Sequence, residues 1–237
     1  MVYTQRFDGR KFDECRPMSA KVGVVERATG SAMFRIGKTY AVAAVYGPRG
    51  FYPQALANPT RGVLRCNYNM MAFSGAGERV RPGPSRRSKE ISLVTEKALA
   101  PVLDLTGFPG TVVDVFIELI QTDAGTRCAG ICAAAMALAD AGIPMKDLVS
   151  SVAVGRIGGK IVLDLSKEEE DHPEGATDVA VAMSTRMNTI NLLQMDGEIS
   201  AEELKEALVL VKKGCEQIKQ VQIKALREKY QQEAKHE

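Results

Sequence analysis

The sequence has no tryptophan, and aromatic residues make up only 5% of it. A surface that reads bases mainly by stacking needs many aromatic planes, so that device does not fit. Histidine occurs only at 172 and 236. The five cysteines, at 15, 66, 128, 132 and 215, are odd in number and form no Cys-x-x-Cys pair. Neither a disulfide framework nor a four-ligand zinc site fits them; small buried thiols in a reducing compartment do. Net charge is only +2, so any polyanion site must be a local patch rather than a global field. No apolar run reaches the length of a membrane span, and the polar start MVYTQRFDGRKFDE does not read as a signal peptide. The expectation is a cytoplasmic protein with no membrane partner.

What is present is ordinary for a globular chain: 237 residues, 45% hydrophobic and 25% charged. Residues 1–15 read as a charged arm that packs on something else. A meander of strands follows to Tyr46, then an irregular Pro/Gly stretch, then a strand from Arg65. Ser74–Ser85 holds too much Gly and Pro for regular structure. Ser85 opens a helix that Pro101 kinks or ends. After residue 149 a hairpin turns at Gly158-Gly159, an acidic loop follows, and two more strands lead to a capping box at Ser200–Glu203. The last helix carries one apolar stripe. The expected fold class is mixed α/β with a largely antiparallel sheet. Its two halves, 16–148 and 149–237, are expected to be similar.

The chain is organised around Val112–Gly142. Val112–Gln121 is an apolar, β-branched strand. Thr122–Gly125 is a turn, and Thr126–Ala141 is an Ala-rich helix stopped by Gly142 and Pro144. A strand, a Gly turn and a helix start aim unpaired N–H groups at one point, with the Thr126 hydroxyl and the Arg127 charge beside them. An oxyanion such as phosphate fits that corner. The same turn also serves plain strand-to-helix reversals, and no Walker or dinucleotide motif is present.

Two further clusters bear on that choice. Arg86 and Arg87 stand at a helix start, where the macrodipole disfavours cations. They are either solvated or face an anion that shares the helix end, which a guanidinium matches well. The segment Glu168–Asp178 is strongly acidic. Asp178 enters an apolar strand, and with Asp171 it could offer two carboxylates to Mg²⁺. Basic anion sites beside an acidic metal site point to phosphoryl chemistry.

Several motifs together carry a resemblance. They are RFDGR from Arg6, NPTRGVLRCNYNMMAFS from Asn58, PGPSRRSKEIS from Pro82, QTDAGTR from Gln121, ALADAGIP from Ala137, and LDLSKEEED from Leu163 with Asp178 after it. The chain resembles the RNase PH family, most closely the catalytic ring subunits of archaeal exosomes. The resemblance implies an RNase PH-like (ribosomal protein S5 domain 2-like) fold and phosphate-dependent 3′→5′ degradation of single-stranded RNA to nucleoside diphosphates. It also implies the reverse reaction, which adds heteropolymeric tails.

On this resemblance Gly125, Thr126, Arg127 and Arg87 hold inorganic phosphate, the co-substrate. Arg86, Arg61, Arg65 and Tyr68 meet RNA; Tyr68 either stacks on a base or, as strand tyrosines more often do, packs in the core. Asp171 and Asp178 hold Mg²⁺ or protonate the leaving oxygen. The family's two aspartates stand six apart; here they stand seven apart, so either the loop bulges or Glu174 takes over a role. The implied assembly is a hexameric ring, a trimer of dimers alternating with an inactive paralogue and capped by S1/KH-type subunits. The alternatives are a homohexameric RNase PH that trims tRNA ends, or a catalytically silent RNA-binding ring subunit.

Overall fold

A computed structural model describes residues 3–77, 79–81, 83–172 and 175–233. Glu174 and residues 234–237, His236 among them, lie outside them; of the stretch 229–237, expected from its polar sequence to fray, residues 229–233 continue the last helix. Two sheets flank a central helix. The first has the order β1-β2-β3-β5-β4, from Met18–Val22, Gly30–Ile36, Thr39–Gly50, Thr111–Gln121 and Val63–Met70. The second is β7-β6-β8-β9, from Lys160–Leu163, Ser150–Ile157, Ala176–Ser184 and Thr189–Asp196. Every pairing is antiparallel except β4 with β5. That pair needs a crossover, and helix α1, Arg86–Leu99, supplies it.

Helix α2, Thr126–Asp140, runs between the sheets with 13 of its 15 residues buried. It has no polar face because it has no solvent face, and its alanines let both sheets come close. Cys128 and Cys132 lie within it, and all five cysteines are buried and free. Burial pushes the thiols of Cys15 and Cys128 up to about 12, so they are packing groups rather than ligands.

Helix α1 ends at Leu99 because Pro101 follows, and the chain turns through a short 3₁₀ segment. The acidic segment is not all loop. Lys167–Glu170 forms a short helix, α3, closed by a Ser166/Glu169 capping box. The final helix, α4, spans Ala201–Glu233. Its Gly214 lies against Leu163, where a Cβ would stand 3.1 Å from a methyl carbon.

The N-terminal arm packs on its own chain. Arg6 is buried and grips both carboxylate oxygens of Glu169, at 2.8 and 2.7 Å, while donating to the carbonyls of Leu163 and Asp164. Tyr3 adds a hydroxyl bond to Glu169 at 2.8 Å. The arm thereby fastens α3, the base of the acidic segment. Among the described residues no helix is long and apolar enough to cross a membrane.

Candidate active site

The strand–turn–helix unit forms as the sequence predicts. Gly125 caps α2 with a left-handed backbone, φ 61°, and no side chain caps the helix. Its first N–H groups therefore have no capping partner. The turn is held from outside. Thr39 Oγ1 donates to the Asp123 and Ala124 carbonyls, each at 2.7 Å. Arg16 also reaches the Asp123 carbonyl while binding Asp164 through Nε at 2.9 Å and Nη2 at 2.7 Å. The corner is thus fixed before any ligand arrives.

Arg127 is partly buried, donating to Gln194 Oε1 at 2.5 Å and lying 3.9 Å from Glu90. Both partners come from other elements, β9 and α1, so the guanidinium stands where three elements meet. Ser85 caps α1 through a capping box with Ser88, and Arg86 and Arg87 follow, both exposed. Burial raises the Asp178 carboxyl, Asp196 raises it further, and the charges of Arg127 and Arg87 act against this. Asp178, Arg127 and Arg87 therefore share one field. Asp178 Oδ1 is shielded from solvent and has no hydrogen-bond partner.

Asp171 does not join Asp178. It is exposed and pairs with Lys167 at 2.7 Å, one helical turn back. The carboxylate that approaches is Glu170. Burial raises its pKa first and repulsion from Asp178 next, while the Lys167 charge, 3.7 Å away, and then the Gly125 N–H act against both. Glu170 thus links the helix corner to Asp178. The Ser-x-x-Glu capping signature at Ser166–Glu169 was the signal for this, since it starts a helix that turns Glu170 and Asp171 to different sides. Asp178 raises the Glu170 pKa and is itself raised by Asp196, its partner across β8 and β9; acidic groups so placed, one with an orphaned oxygen, fit a divalent cation or a shared proton.

Tyr68 is only 1% exposed, on the core face of β4 beneath α2. It offers no face for a base to stack on, because Asn67 and Asn69 take the outward positions of the strand. Arg65 is half-exposed, bound to Asp114 at 2.5 Å and lying 5.9 Å from the centre of the Phe51 ring. Arg49 holds the other Asp114 oxygen. Arg61 is exposed and lines a separate cavity of about 600 Å³ with Asn58, Glu96, Lys97 and Lys146. Neither Arg61 nor Arg65 is in contact with the Thr126 corner.

A fixed helix start without a side-chain cap, two arginines and a desolvated carboxylate bring together groups whose chemistry suits a phosphate anion. Residues 14–144 match the 3′ exoribonuclease family, domain 1, and residues 147–214 match its domain 2. The chain belongs to this family, the RNase PH family. It is 54% identical over 226 residues to the exosome complex component Rrp41 of Pyrococcus furiosus, covering 95% of this chain and 89% of that one. It is 50% identical to the Rrp41 of Methanopyrus kandleri, covering 95% and 93%. Among solved structures it superposes on rice Rrp46 with TM-score 0.81 at 25% identity, covering 93% of this chain and all of that one. An Archaeoglobus fulgidus exosome with RNA bound to the active site gives TM-score 0.76 at 25% identity, covering 95% and 92%.

Proposed function

We propose that this chain is the catalytic ring subunit of an archaeal exosome. It shortens single-stranded RNA from the 3′ end by phosphorolysis and runs the reaction backward to add tails. The observation that carries the reading is the meeting of the uncapped α2 N-terminus, Arg127, Arg87 and Asp178 in one field. Inorganic phosphate sits at Gly125–Arg127, and one of its oxygens attacks the last phosphodiester. The bond from phosphorus to the 3′-oxygen breaks, and a nucleoside diphosphate leaves. The shortened RNA takes a proton on that oxygen. Arg87 and Arg127 offset the repulsion between the two phosphates, and Arg86 holds the RNA backbone beside them. Arg61 and Arg65 lie further out and guide the strand.

Asp178 and Glu170, rather than Asp171, are the acidic pair. They would hold Mg²⁺, which supplies neutralising charge to phosphate oxygens. Without metal, Asp178 would serve as the acid that protonates the leaving oxygen.

The relatives' place in exosome complexes supports a hexameric ring with an inactive paralogue and S1/KH-type caps, in the cytoplasm. We divide the chain into the arm 1–15 and halves 16–148 and 149–237, the arm being a strap on the second half. The test is a single-stranded RNA incubated with and without phosphate, alone and with the ring partner, with the products identified. Nucleoside diphosphates that appear only with phosphate support the reading; monophosphates formed in its absence overturn it. Arg127→Glu should abolish the reaction and leave assembly intact.

A further inference from the structure

Tyr68 carries a hydroxyl that the fold does not use. Its oxygen is shielded from solvent and makes no hydrogen bond. A buried hydroxyl without a partner destabilises a protein, and phenylalanine would fill the same space without it. The ring is closely packed: a Cβ on Gly130 would stand 3.5 Å from Cε2 of Tyr68. Gly130 lies one turn after Thr126 on α2, and Thr126 is 7% exposed at the first helical position. The ring therefore runs under the first turn of α2 towards its start. Burial raises the phenol pKa, while Thr126, Arg87 and Arg127 act against that rise. Thr126 approaches the hydroxyl without completing a hydrogen bond.

We infer that Tyr68 is a positioning residue for the anion corner, its hydroxyl donating to Thr126 Oγ1 when Thr126 turns its own proton towards a bound phosphate. A threonine hydroxyl has one proton and accepts at its lone pairs. When the corner is empty, the two hydroxyls lie near each other without meeting hydrogen-bond geometry. When phosphate accepts the Thr126 proton, Thr126 Oγ1 is drawn into one rotamer with a lone pair facing the phenol. The marginal contact of the empty protein then becomes a full hydrogen bond, so the difference in free energy adds to phosphate affinity. This rests on the phosphate role of the corner.

The test is phosphate binding to the full chain, by calorimetry and by phosphate-induced thermal shift. These readouts do not need turnover. Tyr68→Phe should melt no lower than wild type without phosphate, yet bind phosphate about tenfold more weakly, one ordinary hydrogen bond. Wherever turnover is measured, KM for phosphate should rise and KM for RNA stay put. Thr126→Val should weaken phosphate as well, and adding Tyr68→Phe to it should cost nothing further. Thr126→Ser should keep the response to Tyr68→Phe. A Tyr68→Phe protein that binds phosphate within twofold of wild type overturns the inference, as does a full tenfold loss added on top of Thr126→Val. A wild type with no phosphate response would sink the phosphorolysis reading and this inference together; an intact wild-type response with an unaltered Tyr68→Phe sinks only the latter.

Discussion

Asp164 and Asp178 lie in the same half of the chain and have opposite surroundings. Asp164 is 1% exposed and takes three hydrogen bonds from Arg16 alone, at 2.7, 2.9 and 2.7 Å. Asp178 has a shielded oxygen with none. The first carboxylate has its charge answered within the fold, and it ties the arm and the 123–125 turn to the second half. The second is left unanswered next to two arginines. Evolution could have paired it or replaced it, and an unpaired carboxylate lowers stability unless something outside the fold uses it. Paired charge here is scaffold, and unpaired charge marks the chemistry.

Exchanging each for its amide breaks this comparison most sharply. Asp164→Asn should cost about 3–5 kcal/mol, the usual penalty for leaving a buried partner uncompensated. Activity should fall with the folded fraction, and any further loss should appear in KM for phosphate, because Arg16 also holds the 123–125 turn. Asp178→Asn should lower turnover about 10²–10⁴-fold, the range for loss of an acid–base group, without lowering the melting temperature at neutral pH. The sign follows from the raised carboxyl. Its folded pKa exceeds the unfolded one, so its favourable contribution is present at low pH. That contribution is lost as pH rises from the ordinary aspartate value through the raised one. Asparagine stays neutral, so wild type and variant should diverge in stability as pH rises through that window. Thermal melts across pH, with single-turnover RNA shortening, check both. A destabilised, fully active Asp178→Asn would reverse the assignment.

A second pair sharpens the contrast at smaller scale. Glu170 and Asp171 are neighbours and share Lys167, at 3.7 and 2.7 Å, but Asp171 lies in solvent while Glu170 is half-buried and feels the Asp178 charge. Glu170→Gln should lower turnover about tenfold or more and alter the Mg²⁺ requirement. Asp171→Asn removes an exposed i,i+4 pair and should shift stability by no more than about 0.5 kcal/mol, with turnover unchanged. Magnesium titrations of both variants decide it. Equal losses in the two would mean that the loop, rather than one carboxylate, matters.

The frame of the fold was legible because long periodic segments declare themselves. The α2 helix, the Gly158-Gly159 hairpin and the Ser200–Glu203 cap all stand where pattern and turn chemistry put them. The parallel β4–β5 pairing was not legible, since periodicity carries no strand direction. The Gly125–Arg127 corner was visible because strand, Gly turn and helix start are contiguous. Its supports were not, because Arg16, Thr39 and Gln194 stand 107, 84 and 67 residues from the groups they hold and lie in no shared motif. Whether Tyr68 stacks on a base or packs in the core was not legible for a related reason, and the structure buries it. The strand assignment began at Arg65 without deciding which face was core, and a one-residue phase places a side chain in the interior or in solvent. Residue type and spacing point to Asp171, with Glu174 as its substitute, and ignore the turn of the short helix that brings Glu170 towards Asp178.

The smallest effect concerns the arginines away from the corner. Arg127 sits between β9 and α1 with its charge directed to the centre, whereas Arg65 shares the buried Asp114 with Arg49 and keeps about half its side chain in solvent. If Arg65 guides the RNA backbone, it acts as one phosphate contact among several. Arg65→Ala should then reduce the slope of log affinity against log salt by about 0.7, the value for one contact to a single strand. The loss should be similar for every RNA sequence. Turnover at saturating RNA should stay within about twofold, because the nucleophile and scissile phosphate are placed elsewhere. Filter binding over a range of salt reads the slope. An unchanged slope would make Arg65 a partner of Asp114 and Phe51 alone, and would move the RNA path off this face of the sheet.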